Sequence, residues 1–127
     1  MFTLEIKSSF SAAHYLRNYT GKCANLHGHN WRIKVQVSKK ELNEIGMVMD
    51  FNDLKSALKL VTEELDHTDV NKHPYFKSIN TTCENIAKFI YDKLSINLKS
   101  VPSNVILSSV QVEENDGSIC IYTDENL

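Results

Sequence analysis

Cys23-Ala-Asn-Leu-His27-Gly-His29-Asn-Trp31-Arg-Ile33-Lys-Val35-Gln-Val37 carries a strand signal and a cluster of metal-ligating side chains in one stretch. From Trp31 onward apolar and polar residues alternate, the period of a β-strand buried on one face. Such a strand puts residues i and i+2 on the same side, so the imidazoles of His27 and His29, at its entry, can point at one ion. Gly28 between them has no Cβ and leaves the opposite side open to a backbone or a ligand. With His14 upstream, three of the five histidines and one of the three cysteines fall between residues 14 and 29. Three neutral imidazoles suit Zn²⁺ and leave a fourth tetrahedral position for water or substrate. On spacing alone Cys23 is an alternative fourth ligand, which would close the site into a structural Cys-His₃ centre, and a cluster without metal is the third reading. His73 precedes Pro74, which favours extended backbone, and reads as a loop residue. Cys120, between Ile119 and Ile121, reads as a small buried apolar side chain.

Outward from this stretch, residues 2 to 10 alternate as a first strand and residues 29 to 38 as a second. The connection between them carries the metal-ligating cluster. After a polar turn from Lys39 to Gly46, the residues Leu54, Ala57, Leu58, Val61 and Leu65 recur at helical spacing, with Asp50 or Asn52 as N-cap. Residues Asp66 to Asn80 are polar, contain Pro74, and read as a loop. A second helix is expected over residues 83 to 97, along Ile86, Ile90 and Leu94, with Thr81 and Glu84 fitting a capping box. Residues 104 to 113 and 118 to 123 form a closing hairpin turned by Asn115-Asp116-Gly117. The order β-β-α-α-β-β gives an α+β domain, a four-stranded antiparallel sheet covered on one face by two helices. The other face is left uncovered, and the last strands carry apolar residues at both parities, which points to oligomerisation.

The 127 residues, 42% of them hydrophobic, are those of one soluble domain with a substantial core. The net charge of -2 and the scattered Lys and Arg argue against a nucleic-acid surface. Three widely spaced cysteines and no signal-like segment before the first strand point to a reducing cytoplasm. No apolar run approaches a membrane span. Four glycines without a P-loop or dinucleotide fingerprint mean that a phosphorylated ligand is held by other means.

Six blocks then stand in order: Phe10-Ser-Ala-Ala-His14, Cys23-Ala-Asn-Leu-His27-Gly-His29, Gly46-Met-Val-Met-Asp50-Phe51, Leu65-Asp66-His67 through Asn71, Thr82-Cys83-Glu84-Asn85 and Val112-Glu113-Glu114. Nearly the whole chain thus resembles the 6-pyruvoyltetrahydropterin synthase family, and within it the bacterial 6-carboxytetrahydropterin synthase branch. The resemblance implies the tunnelling fold, in which three subunits join their sheets into a barrel and two rings stack into a homohexamer. It implies 7,8-dihydroneopterin triphosphate as substrate and Zn²⁺ held by His14, His27 and His29. Cys23 becomes the catalytic thiol beside the metal, with Asp66 and His67 as the partner acid or relay, supplied across a subunit interface. A thiol ordinarily titrates near about 8.5 and an imidazole near about 6.5, values suited to a base and a proton shuttle. An Asp-His pair at a helix end, where a histidine favours the dipole, is the plain structural alternative.

Glu114 aligns with the family's pterin anchor, and its parity agrees, since it shares a strand face with Val110 and Val112. A carboxylate there can accept two parallel N–H bonds from a pterin. Glu84 and Thr82 align with secondary pterin contacts, whereas Cys83 stands where the family often has Ser or Thr. Arg17, Lys22 and Arg32 are candidates for the triphosphate. Three residues separate Cys23 from His27, the spacing of the carboxy-forming branch. The implied reaction is zinc-dependent carbon–carbon cleavage, releasing acetaldehyde and triphosphate and leaving 6-carboxytetrahydropterin. Two alternatives stand beside it: 6-pyruvoyltetrahydropterin formation, which eliminates triphosphate with the carbon chain intact, and a non-catalytic zinc- or pterin-binding subunit.

Overall fold

The structure, a computed structural model, describes residues 1–126. Strands β1 (Phe2–His14) and β2 (His27–Lys39) form one long antiparallel hairpin, in register from Phe2 opposite Lys39 to His14 opposite His27. Both strands run further toward the metal-ligating cluster than their hydrophobic alternation indicates. Ala12, Ala13 and Gly28 give little contrast between faces, so the pattern fades there while the backbone ladder continues. Strand β2 pairs with β4 (Ile106–Asn115), and β4 pairs with β5 (Ser118–Tyr122) around an Asp116-Gly117 turn in which Gly117 takes φ +82°.

To these four antiparallel strands the fold adds a two-residue strand, β3 (Thr68–Asp69), parallel to β1 at Ala12 and Ala13, giving the order β3-β1-β2-β4-β5. It lies in the segment read as loop, which otherwise holds two short 3-10 turns, Val70–Lys72 and Pro74–Phe76. Two residues are too few to show a period.

Helices α1 (Phe51–Thr62) and α2 (Cys83–Leu98) cover one face of the sheet. Asp50 caps α1 by accepting the Asn52 N–H at 2.7 Å. The cap of α2 is Thr82, whose hydroxyl accepts the Asn85 N–H at 3.1 Å, so the expected Thr81–Glu84 capping box does not form. Thr81 is turned into the core instead, where its hydroxyl reaches the Tyr15 carbonyl at 3.0 Å. Leu54, Leu58, Val61, Ile86, Phe89, Ile90 and Leu94 of the helices bury against Phe10, Trp31, Ile33, Val35, Val37, Val110 and Val112 of the sheet. Each such side chain contributes about 1.5–3 kcal/mol of burial, so this interface fixes β1, β2 and β4 beneath the helices.

The opposite face is polar, built from Lys7, Arg32, Lys34, Gln111 and Glu113, with Ile119 of edge strand β5 beside them. Of the apolar residues that give the last strands their mixed parity, Ile119 and Ile121 of β5 and Ile106 at the start of β4 are exposed. Among the described residues no helix is long and apolar enough to cross a membrane.

Candidate active site

At the open end of the β1–β2 hairpin the ladder places His14 directly opposite His27 and Ala12 opposite His29. The three imidazoles therefore converge on the helix-covered side, with their available ligand atoms all within 4.8 Å of one another. Trp31 forms the floor, its ring edge-on to His14 at 4.8 Å and to His29 at 5.3 Å between centroids. The Trp31 indole N–H donates to the Ala12 carbonyl at 3.2 Å, and Phe10 stacks on the far side at 5.8 Å.

Backbone carbonyls fix the tautomers of two of the rings. His14 Nδ1 lies 2.8 Å from the Thr81 carbonyl and His27 Nδ1 lies 2.7 Å from the Asn25 carbonyl. A carbonyl only accepts, so each Nδ1 carries the proton and each Nε2 presents a lone pair. This is how metal-binding histidines are oriented by their outer contacts. Burial holds His14 below its ordinary pKa, against the opposing effects of the Thr81 carbonyl and Glu114, and so favours the neutral ligand form.

The Nε2 atoms of His14 and His29 are buried without a hydrogen bond, since the nearby Glu114 carboxylate, itself an acceptor, cannot satisfy the lone pair of His14 Nε2 at 3.1 Å and stands 3.6 Å from His29 Nε2. Leaving such atoms unpaired costs about 1–3 kcal/mol each, and a cation shared by three lone pairs removes that cost. The donor set of three imidazoles fits Zn²⁺. Cys23 lies outside this set, exposed on a 3-10 turn over Lys22–Ala24, so the closed Cys-His₃ reading finds no support among the described residues.

Glu114 turns toward the histidines, as its parity indicated. Its Oε1 stands 3.1 Å from His14 Nε2 and 3.6 Å from His29 Nε2, while Glu113 faces the other way and pairs with Arg32 at 3.4 Å. The β4–β5 register shifts between Glu113 and Asn115, at the same strand end.

Asp66 and His67 form the expected pair in a tight turn, with His67 Nδ1 3.0 Å from Asp66 Oδ2. His67 adopts φ +58°, the left-handed region that lets adjacent side chains meet. Its N–H donates to the Ser11 carbonyl at 2.6 Å, and Asp66 Oδ1 accepts the Ser11 N–H at 2.9 Å. The Ser11 N–H, followed by His67, holds the Asp66 carboxyl below its usual range. His67 stands at the rim of a shallow depression shared with Ala13, Gly28, His29, Asn30 and Thr68, and its side chain is 83% exposed. Within one protomer no hydrogen bond or ion pair among the described residues joins this pair to Cys23 or to the three histidines.

Thr82 is occupied in capping α2 and Glu84 is exposed in its first turn. Cys83 donates to the Val112 carbonyl at 3.3 Å, and burial pushes its thiol up to about 12. Arg17, a candidate for the triphosphate, instead spends its guanidinium on the Phe76 and Ile79 carbonyls at 2.7 and 3.3 Å. Arg32 is engaged with Glu113 and Asp116. His73 is the extended loop residue expected, accepting the Tyr75 N–H and pairing with Glu64 at 3.0 Å. Cys120 is half-buried against the core.

Residues 3–125 match the family model described as 6-pyruvoyl tetrahydropterin synthase. The chain is 30% identical to the 6-carboxy-5,6,7,8-tetrahydropterin synthase of Haemophilus influenzae, over 98% of this chain and all of that protein. It is 37% identical to the 6-pyruvoyl tetrahydrobiopterin synthase of Dictyostelium discoideum, over 83% of this chain and 76% of that protein. The solved structure of Caenorhabditis elegans 6-pyruvoyl tetrahydropterin synthase superimposes with a TM-score of 0.88 at 34% identity, covering 98% of this chain and 96% of that one. A ββααββ sheet with three convergent imidazoles at its hairpin end, joined to matches of this extent, places the chain in the 6-pyruvoyl tetrahydropterin synthase family.

Proposed function

We propose that this protein is a zinc-dependent lyase that converts 7,8-dihydroneopterin triphosphate to 6-carboxy-5,6,7,8-tetrahydropterin, acetaldehyde and triphosphate. The observation that carries the reading is the set of three convergent imidazoles, two with Nδ1 pinned by carbonyls and two with buried, unpaired Nε2 atoms. Bound there, Zn²⁺ supplies a Lewis acid for side-chain oxygens of the substrate. Glu114 stands beside the imidazoles with a carboxylate able to accept two N–H bonds from the pterin. Cys23 is placed four residues before His27 on an exposed turn, accessible as the base that abstracts a side-chain proton. Asp66 orients His67 for the complementary proton transfer. Because that pair shares no hydrogen bond or ion pair with Cys23 among the described residues, and the family resemblance sets it across a subunit interface, the reading includes a homohexamer in which a neighbouring subunit supplies it.

The carboxy-forming outcome is favoured by the three-residue spacing between Cys23 and His27 and by relatives of that name in Haemophilus influenzae and Bacillus subtilis. A second reading, 6-pyruvoyltetrahydropterin formation, is favoured by the Dictyostelium relative and the Caenorhabditis elegans structure. Mass spectrometry of the products of the zinc-loaded protein, with acetaldehyde assayed in parallel, separates them. Acetaldehyde with a 6-carboxy product is expected; a pyruvoyl product without acetaldehyde replaces the first reading with the second. In the same assay Cys23→Ala is expected to keep zinc and lose turnover by orders of magnitude. Absence of turnover in the wild-type protein despite bound zinc would leave a binding subunit.

A further inference from the structure

We propose that Asn71 is a positioning residue for the metal centre, holding His14 through the backbone of Tyr15 and through Thr81. This inference rests on the reading of His14 as a zinc ligand.

Strand β3 pairs with β1 only as far as Ala12 and Ala13, so the parallel ladder stops short of the ligand and of the residue after it. The Asn71 side chain continues the pairing in place of a strand. Its Oδ1 accepts the Tyr15 N–H at 2.9 Å and its Nδ2 donates to the Tyr15 carbonyl at 3.0 Å, a two-bond contact with the residue that follows His14. The same Oδ1 is 3.1 Å from the Thr81 hydroxyl, and that hydroxyl is also within 3.0 Å of the Tyr15 carbonyl. Thr81 is the residue whose carbonyl fixes His14 Nδ1. One buried amide thus ties together the backbone that carries the ligand and the residue that sets its tautomer.

Asn71 is itself held: it is buried, and its N–H donates to Asp69 Oδ1 at 3.0 Å. A buried amide with both ends paired is far more rigid than a solvated one. Groups behind a metal ligand commonly change metal affinity by about 10–100-fold when removed, and a partner one bond further back belongs at the lower end of that range.

The experiment is Zn²⁺ affinity by chelator competition for wild type, Asn71→Ala and Asn97→Ala, well below each melting temperature, with Co²⁺ spectra as a report of ligand geometry. Asn97 is the control because its side chain makes a comparable bond, to the Ala57 carbonyl at 3.1 Å, between the helices and away from the site. Asn71→Ala is expected to weaken Zn²⁺ about tenfold and to alter the Co²⁺ spectrum. Asn97→Ala is expected to lose stability with affinity and spectrum unchanged. Wild-type affinity in folded Asn71→Ala overturns the proposal, as does an equal loss in Asn97→Ala. Should Asn71→Ala not fold, Thr81→Val carries the same test, since it deletes the hydroxyl and keeps the carbonyl; unchanged affinity there overturns the proposal too. A wild-type protein that binds no Zn²⁺ would instead overturn the reading of the site itself.

Discussion

Replacing His14 and replacing His27 by alanine should abolish tight zinc binding alike and destabilise the metal-free fold very differently. His14 is fully buried, packed among Trp31, His27 and His29, with Nδ1 on the Thr81 carbonyl. Alanine there empties the volume of an imidazole and strands a buried acceptor, losses of about 2–4 kcal/mol from packing and about 1–3 kcal/mol from the unpaired carbonyl. Against this, the variant removes the unpaired Nε2 that the metal-free wild type buries, a gain of about 1–3 kcal/mol. The net expectation is a loss of about 2–4 kcal/mol in the presence of chelator. His27 is partly exposed and its Nδ1 bonds to Asn25 two residues away, a local contact open to water, so His27→Ala should cost about 1 kcal/mol or less. With zinc at a thousand times its dissociation constant the wild type gains a further ~4 kcal/mol by mass action, and neither variant should gain it. Urea unfolding with chelator and with excess zinc, alongside metal content of the purified proteins, measures all of these terms. If His27→Ala retained one zinc per chain at wild-type affinity, the three-imidazole site would be refuted. If metal-free His14→Ala matched the wild type, the account of His14 as a buried post of the hairpin end would be.

Two further expectations concern groups around this site. Native iodoacetamide labelling at pH 8 should modify exposed Cys23 first; the rise of the Cys83 thiol from 9.0 to about 12 lowers its thiolate fraction about a thousandfold, so labelling of Cys83 at the Cys23 rate would contradict its burial. The depressed Asp66 carboxyl stabilises the Ser11–Asp66–His67 turn above its ordinary pKa of 3.8 and loses that contribution as pH falls through the lowered folded value. The advantage of wild type over Asp66→Asn in urea midpoint, with chelator present, should therefore shrink between pH 6 and pH 2. Parallel curves would show that the carboxylate's charge contributes nothing to the turn.

Most of the fold is written in side-chain periods that a single sequence displays. The alternation of Trp31 to Val37 and the helical recurrence of Leu54, Leu58 and Val61 are consequences of burial, and burial is what sorts hydrophobicity along a chain. What escaped was structure stabilised by groups that leave no such trace. Strand β3 has two residues and no period. The cap of α2 shifted from Thr81 to Thr82 because two adjacent threonines are equivalent caps by composition, and only the tertiary partners Tyr15 and Asn71 distinguish them. Gly46, Met47 and the buried Val48 and Met49 hold their turn through the Asn43 side chain, which accepts the Ile45 and Met47 N–H groups.

The site divides in the same way, and the division follows from how ligands are made. Ligands close in sequence are legible because the strand period itself aims them, as with His27 and His29; His14 adds a cross-strand partner that the hairpin register supplies. The groups that orient them are backbone carbonyls of Asn25 and Thr81, which belong to any residue type and so carry no sequence signal at all. Asn71 is visible as a residue and invisible as a role, because its meaning depends on β3 ending before Tyr15. In the sequence Trp31 shows only strand alternation, whereas in the fold its indole, packed against His14 and His29, also shields the imidazoles from water and strengthens their hold on a cation. The Asp66–His67 pair is the converse case: its chemistry is plain from the two adjacent residues, while its place is a property of the sheet, anchored to the backbone of Ser11 on β1 beside the β3 edge. An active site assembled from both places needs either a second copy of the chain to bring the two together or a substrate that reaches across the hairpin end. In the proposed homo-oligomer the outer strands of the sheet among the described residues, β3 and β5 with its exposed Ile119 and Ile121, would be the edges open to a second copy through the same backbone pairing that joins the strands within one protomer.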